Sequence, residues 1–247
     1  LTHEVKNVFY SLDLFALDGD PDSNFVNDSM PLYLYDRNPF NDVRYLLNRD
    51  VLFEDIPYLL AMTAAGYDEG TSYNWWEDKT FSEEEAISHY ERPDGPQEEV
   101  PRQEWQPRVD GNLDLLTEMV EAHPETRFYF FLPPYSMLWW DNAALSGRTG
   151  EYLYARRAAM DRLCAFDNAK VFDFQGEEEI ILDLDNYMDP IHFSADVNRW
   201  IVLEAQKEDS AYLVTPDNRE ELLEHMEELA ETTIPQRAEA QFMEGGS

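Results

Sequence analysis

Cysteine is nearly absent from this chain of 247 residues, and long apolar runs are absent altogether. Cys164 is the only cysteine, so an internal disulfide and a cysteine-rich metal site are excluded. Its neighbours Met160 and Leu163 predict a helix in which Cys164 is a small core residue. No apolar run approaches the roughly 20 residues of a membrane span. The chain begins at Leu1 rather than at a methionine, and we expect that an N-terminal part, with any signal peptide or anchor, lies outside it.

Basic residues are also scarce. Lys and Arg number 18, only four of them lysines, against 52 Asp and Glu, which gives a formal net charge of −34 at pH 7. A field of this sign repels phosphate backbones and anionic lipid surfaces, so the charge argues against nucleic-acid binding. Apolar residues make up 43% and aromatic residues 14% of the chain, which predicts a globular fold with a sizeable core.

Three short apolar runs, at residues 7–12, 127–132 and 170–174, have the length and composition of buried strands. Helical patterns, with apolar residues three or four positions apart, lie between and after them. This alternation predicts an α/β fold with a doubly wound parallel sheet, in which the carboxyl ends of the strands lie on one side. Because we expect an upstream strand to be missing, we also expect an uncovered sheet edge or groove beside the 7–12 strand.

The connection between the first two predicted strands is too long for a simple crossover. We interpret residues 18–110 as a helical or irregular insertion or lid within one domain of residues 1–231. Residues 232–247 lack periodicity and are predicted to be a disordered tail. The tryptophans of the insertion are Trp75, Trp76 and Trp105. They could form either a sugar-binding surface or core packing, and we favour packing.

Asp189 and His192 are the main candidates for chemistry. They lie three residues apart in the run Asn186–Ser194, which follows the third predicted strand. Both side chains can therefore face one pocket, where the carboxylate would hold the imidazole tautomer or stabilise the imidazolium while the ring moves a proton. The alternative interpretation is a loop histidine and an ordinary turn aspartate before a proline.

Further polar residues follow the ends of predicted strands, where open α/β sheets bind their ligands. Asp13 follows the first strand, and Tyr135 and Ser136 follow the second, so these three residues are candidates for a substrate pocket. A serine nucleophile is harder to find, because neither Ser11 nor Ser136 lies in a Gly-x-Ser-x-Gly turn. Either the nucleophile precedes this chain or the protein is not a hydrolase.

A calcium loop is an alternative interpretation of residues 183–194. Asp183, Asp185 and Asp189 have the spacing of its first, third and seventh positions. Met188 and Ser194, however, stand where an EF-hand requires glycine and glutamate, so the match fails. We predict no metal site and no cofactor, with a looser calcium site as the alternative.

Three runs resemble the bacterial SGNH/GDSL hydrolases: Pro31–Phe53, Phe131–Ser136 and Tyr187–Phe193. The resemblance extends over most of the chain and implies a flavodoxin-like α/β/α sheet with a Ser-His-Asp site for acyl-ester hydrolysis or transfer. His192 and Asp189 match the Asp-x-x-His block of the family. The resemblance therefore implies that His192 is the general base and that Asp189 is its partner.

The sequence also departs from the family pattern. The block that carries the nucleophilic serine on a Gly-x-Ser turn, and the glycine of the oxyanion hole, would both lie upstream of residue 1. Where members of the family have Gly-x-Asn-Asp after a strand, this chain has Ser11-Leu-Asp13-Leu14. An ionised carboxylate only accepts hydrogen bonds, so Asp13 cannot stabilise an oxyanion as asparagine does.

The resemblance implies a truncated serine esterase or acyltransferase that acts on acylated glycans or cell-envelope polymers. By the same resemblance, the intact parent would be extracytoplasmic and held to the membrane by an N-terminal anchor, while the present chain alone would be inactive. A second hypothesis is a non-catalytic SGNH-like module that binds a glycan or a partner protein through its tryptophan-rich region.

Overall fold

The computed structural model of the chain describes residues 5–22, 32–34, 38, 40–41, 43–67, 75–207 and 209–244. The chain divides into two compact units, one of Leu1–Pro21 with Thr80–Ser247 and one of Asp22–Lys79. The α-helices among the described residues are, in chain order, α1 (Leu14–Leu17), α2 (Val43–Leu46), α3 (Ile56–Ala64), α4 (Glu83–Ser88), α5 (Arg102–Ala122), α6 (Met137–Leu145), α7 (Thr149–Leu163), α8 (Glu178–Ile181), α9 (Ala195–Ala205), α10 (Arg219–Glu228) and α11 (Ile234–Glu244). None of these helices is both long enough and apolar enough to cross a membrane.

The first unit contains a parallel sheet of three strands, in the order β1 (Asn7–Ser11), β2 (Arg127–Leu132) and β3 (Ala169–Asp173). Val8 of β1 pairs with Phe128 of β2, and the same parallel arrangement joins β2 to β3. The three predicted strands are thereby confirmed as parallel neighbours. The fold is α/β.

Side chains on β2 alternate between the two faces of the sheet, as the period of two in a strand requires. Phe128, Phe130 and Leu132 are buried in the larger core together with residues of α5 and α7. Phe131 lies on the opposite face, in a smaller core where Phe172 packs with residues of α9. Helices therefore pack on both faces of the sheet.

Strand β1 forms an open edge of this sheet. It pairs with β2 on one side, and no strand among the described residues pairs with its other side. Phe9 and Tyr10 are 47% and 42% exposed, although Phe9 stacks on Phe131 with ring centroids 4.6 Å apart. The prediction of an uncovered edge beside this strand is confirmed.

The predicted insertion of residues 18–110 is too wide. The separate compact unit is Asp22–Lys79, whereas residues 80–110 belong to the unit that contains the sheet. Trp105 and Val109 of α5 are buried in the larger core. The helix also continues through Pro107, which removes one amide hydrogen bond from its first half.

The prediction of a disordered tail over residues 232–247 is wrong for the part that the structure describes. Helix α11 begins at Ile234, which is fully buried, as is Ala238 one turn later. Phe242 packs against the same core, and the guanidinium of Arg92 lies 5.1 Å from the centre of its ring. Ile234, Ala238 and Phe242 form one apolar face of α11. Burial of this face against α6 stabilises the helix.

Cys164 is also placed differently from the prediction. Met160 and Leu163 are fully buried on α7, but Cys164 is exposed. It is the C-cap of α7, directly after the last helical residue Leu163. A core role for Cys164 is therefore wrong.

Candidate functional site

The loop that carries the two main candidates is a short, closed turn. Tyr187 and Phe193 form an antiparallel bridge, and the amide of Met188 donates to the carbonyl of His192 at 3.0 Å. The segment 189–192 therefore forms the tip of a tight loop. The next helix, α9, begins directly after this loop, so the loop is held at both ends.

Asp189 organises the tip through both of its carboxylate oxygens. Its Oδ1 accepts hydrogen bonds from the backbone amides of Ile191 and His192, each at 2.8 Å. Its Oδ2 lies 2.6 Å from Nδ1 of the His192 ring. The predicted pairing of these two side chains is therefore present in the geometry, and the turn itself positions the carboxylate.

The electrostatics of Asp189 follow from these contacts. Partial burial acts to raise the pKa of its carboxyl group, but hydrogen bonds from the amides of His192 and Ile191 and from the His192 ring outweigh it. The pKa of Asp189 consequently lies below its usual value, and the group is a carboxylate at neutral pH. With Nδ1 held by this carboxylate, Nε2 is the ring atom that can transfer a proton to or from a substrate. The His192 side chain is 55% exposed.

Ser136 places this loop at the carboxyl end of β2. It is fully buried, and its hydroxyl donates to the carbonyl of Pro190 at 2.8 Å. Tyr187 is also fully buried and donates through its hydroxyl to the carbonyl of Pro134 at 2.8 Å. Ser136, which was predicted to be a pocket residue, joins the loop of residues 189–192 to the sheet.

Asp13 and Tyr135, the other two predicted pocket residues, contact each other. The Tyr135 hydroxyl donates to Oδ1 of Asp13 at 2.8 Å, and Ser11 donates to the same oxygen at 3.3 Å. Tyr135 is fully buried, and this burial, together with the negative charge of Asp13, raises the pKa of its hydroxyl well above the usual value. The contact of Tyr135 with Asp13 and the contact of Ser136 with Pro190 lie at the same edge of the sheet, because the carboxyl ends of parallel strands meet there.

Two cavities in the first unit lie away from these residues. One of about 970 Å³ is lined by residues at the amino ends of β1 and β2, among them Lys6, His123 and Arg127. The other, of about 550 Å³, lies between the starts of α5 and α7 and includes Trp105 and Glu151. Neither of them contains Asp189 or His192 in its lining.

Trp105 packs in the core rather than at a surface. Trp105 is buried, and its indole nitrogen donates to the carbonyl of Val100 at 3.1 Å. Trp76 is half-buried, and the side chain of Trp75 lies outside the described part of the chain. The favoured interpretation as core packing is confirmed for Trp105.

The aspartates of the rejected calcium loop bind backbone amides instead. Asp183 accepts from the amide of Asp185 at 3.1 Å, and Asp185 accepts from the amide of Glu83 at 2.9 Å. Within the described ranges, no group of three or more His, Cys, Asp and Glu residues is arranged to hold a metal ion. Asp183 therefore holds a local turn, whereas Asp185 joins this segment to the start of α4.

One buried charged pair at the end of β3 was missed from the sequence. Arg156 of α7 is fully buried, binds the carboxylate of Asp173 at the end of β3, and donates to the carbonyl of Leu222 at 2.7 Å. An arginine on the apolar face of a helix, among Ala155 and Ala159, was the available signal. The pair joins the sheet to α7 and α10.

Comparison of the chain with models of protein families, with curated proteins and with solved structures found no match. Two observations are the most informative, namely the contact between Asp189 and His192 and the open edge of β1.

Proposed function

We propose that Asp189 and His192 are the acid–base pair of a serine esterase or acyltransferase of the SGNH type, built on a flavodoxin-like α/β fold. The observation that carries the proposal is the 2.6 Å contact between Nδ1 and Oδ2, with Oδ1 fixed by two amides. A carboxylate held in this way keeps the ring in one tautomer and stabilises the imidazolium. The placement of the loop at the carboxyl end of a parallel strand supports the same function.

The pair would work with a serine hydroxyl. His192 Nε2 takes the hydroxyl proton as the serine oxygen attacks the acyl carbonyl, and Asp189 stays ionised and stabilises the imidazolium. The imidazolium then returns its proton to the leaving alcohol as the ester bond breaks. In the second half of the reaction, water or an acceptor hydroxyl attacks the acyl-serine ester and takes the acyl group. His192 again acts as the base and returns the proton to the serine oxygen.

The serine of this reaction would come from outside residues 1–247. Each serine hydroxyl has a single hydrogen to donate, and that of Ser11 is donated to Asp13 and that of Ser136 to Pro190. The open side of β1 offers backbone groups to which a further strand could pair. A strand in that position would end at the same edge of the sheet as the dyad loop, so a serine following it would come close to His192.

The substrate class that fits is an acylated glycan or cell-envelope polymer. The His192 side chain is 55% exposed, and an exposed base can reach an acyl group on a long polymer that could not enter a closed cavity. By the same proposal, the parent protein is extracytoplasmic and is held at the membrane by a segment outside this chain. Asp13 supplies no hydrogen bond to an oxyanion while it is ionised, so the donors would come with the upstream segment.

Labelling with a serine-directed fluorophosphonate probe tests this function. A longer protein that includes an upstream Gly-x-Ser segment should be labelled, and His192→Ala should abolish the labelling, whereas residues 1–247 alone should not react. The control is His89→Ala, which removes an exposed histidine that bonds only within its own helical turn and should leave labelling unchanged.

Three results would contradict the proposal in distinguishable ways. His192-dependent labelling of residues 1–247 alone would show that the nucleophile lies within this chain. Labelling of the longer protein that survives His192→Ala would remove the dyad from the reaction. The absence of any upstream Gly-x-Ser would instead favour the non-catalytic binding module.

A further inference from the structure

Asp13 is a carboxylate that the fold holds in place without giving it a positive partner. It is half-buried, and its Oδ1 accepts hydrogen bonds from the hydroxyls of Tyr135 at 2.8 Å and of Ser11 at 3.3 Å. No lysine or arginine in the described part of the chain forms an ion pair with it. Asp18, at the other end of α1, is by contrast bonded by two arginines. Partly buried charges are usually paired, so Asp13 retains a negative charge that a ligand can neutralise.

The second oxygen of Asp13 is the one that a ligand can reach. Asp13 is the N-cap of α1, where an aspartate side chain usually accepts a hydrogen bond from an amide of the first turn. Its side chain makes no such bond. Its Oδ2 has no hydrogen-bond partner among the described residues, and it is not one of their buried polar atoms. This oxygen is therefore open to solvent and bonds to no group of its own helix.

Phe15 places an aromatic ring beside this carboxylate. Phe15 is 46% exposed, and the centroid of its ring lies 6.1 Å from that of Tyr135, whose hydroxyl bonds to Asp13. The face of an aromatic ring attracts cations, most strongly where they are partly removed from water. A carboxylate held in one orientation beside an exposed ring is a combination that binds an organic ammonium group.

Asp13 and the loop that carries His192 are anchored to consecutive residues. Tyr135 bonds to Asp13, and Ser136 bonds to the carbonyl of Pro190. The α carbons of consecutive residues are only about 3.8 Å apart, so both anchors lie at one point, at the carboxyl end of β2. A single substrate can therefore reach the carboxylate with one group and His192 with another.

We propose that Asp13 and Phe15 form a subsite for a primary ammonium group of the substrate. This inference rests on the proposed function and narrows its substrate to an acylated polymer that carries free amines. The amine belongs either to the acyl group, as in an aminoacyl ester, or to the sugar, as in a hexosamine. The net charge of −34 also attracts a polymer that carries positive charges.

NMR titration of the whole chain with small amines tests the subsite without requiring catalysis. At about pH 6, where an α-amino group is protonated, glycine methyl ester should shift the backbone amide signals of residues 11–15. Methyl glycolate, which has a hydroxyl in place of the ammonium group, should not shift them. Glucosamine and glucose form a second pair. Binding of glycine methyl ester alone assigns the amine to the acyl group, binding of glucosamine alone assigns it to the sugar, and binding of both shows that the ammonium group suffices.

Variants separate this subsite from the general negative field of the chain. For the amine that binds, Asp13→Asn should raise Kd at least about tenfold, because a hydrogen bond between two charged groups is lost. Phe15→Leu should raise Kd about two- to fivefold, because it removes the ring and keeps an apolar side chain. Asp167→Asn removes the same unit of charge at an exposed carboxylate. It should leave Kd within about twofold, since salt at about 0.15 M screens distant charges.

Several results would overturn the subsite. They are the absence of a shift with either amine, equal binding of the neutral analogues, and equal effects of Asp13→Asn and Asp167→Asn. A Kd that Phe15→Leu leaves unchanged would overturn it too, and this test does not depend on how Asp13→Asn folds. Failure of the proposed function is distinguishable, because fluorophosphonate labelling of the longer protein would be lost while amine binding remained. Labelling without amine binding would remove the subsite alone.

Discussion

Asp189 affects stability as well as chemistry, because its carboxylate accepts two backbone amides and the His192 ring. Its pKa is lowered in the folded state, so the ionised group stabilises the fold at every pH above its unfolded value of about 3.9. That stability is lost as the pH falls through the folded pKa. We expect Asp189→Ala to lower the free energy of unfolding by about 1–2 kcal/mol at pH 7. The loss should shrink as the pH is lowered, and urea unfolding at a series of pH values measures it.

The exposed Asp167 provides the control for this measurement. Asp167→Ala should change the free energy of unfolding by no more than about 0.5 kcal/mol at any pH, as is usual for surface substitutions. A loss on Asp189→Ala that stays constant down to low pH would show that the ionised carboxylate is not the stabilising form.

At the scale of elements, α11 is a structural part of the first unit. Ile234 is fully buried at its first turn, whereas Met243 near its end is 68% exposed. We expect Ile234→Ala to lower the free energy of unfolding by about 2–4 kcal/mol, since it leaves a cavity in the core. Met243→Ala should cost less than about 0.5 kcal/mol. Urea titrations measure both variants. If Ile234→Ala and Met243→Ala both leave the free energy of unfolding almost unchanged, the segment does not pack in the core, and the disordered tail that the sequence predicted would be correct.

For the whole molecule, the net charge of −34 sets the response to salt. Charges of one sign repel across the folded surface, and salt shortens the range of this repulsion from about 30 Å at 0.01 M to about 8 Å at 0.15 M. We therefore expect Tm, measured by calorimetry, to rise over this range by about 2–4 °C for each kcal/mol of repulsion screened. NaCl and KCl should act alike at equal ionic strength. A fall in Tm would show that surface ion pairs such as Arg162 with Asp110, 2.5 Å apart, outweigh the repulsion.

Local spacing was enough to predict several features of the fold and the site. The apolar runs at 127–132 and 170–174 became β2 and β3 within one residue at their ends. Ser194 is of a residue type that caps helices, and its hydroxyl accepts from the amide of Val197 at the start of α9. The Asp-x-x-His spacing likewise brings Asp189 and His192 together within a single turn. Each of these features depends on residues that are close in the chain.

Helix α11 shows where local reasoning failed. Ile234, Ala238 and Phe242 lie four residues apart and mark one face of a helix, but the stripe is short and is surrounded by polar residues. Its stability depends on packing against α6, which lies about a hundred residues earlier in the chain. The predicted end of the insertion at residue 110 is wrong for the same reason. Trp105 and Val109 belong to the core of the sheet only through tertiary contacts, which local spacing does not reveal.

The sequence by itself determined the α/β alternation, the parallel strands, the dyad turn and the excess of negative charge. Each of these was predicted from residue type and from spacing along the chain, although the pairing of β1 with β2 and of β2 with β3 joins residues that are far apart in the chain. Only the tertiary structure decided that Ser136 holds the dyad loop at the carboxyl end of β2, that Arg156 is buried beside Asp173, and that Cys164 is exposed. These features depend on side chains that are far apart in the chain, and folding selects such contacts by burial and hydrogen bonding across the whole core.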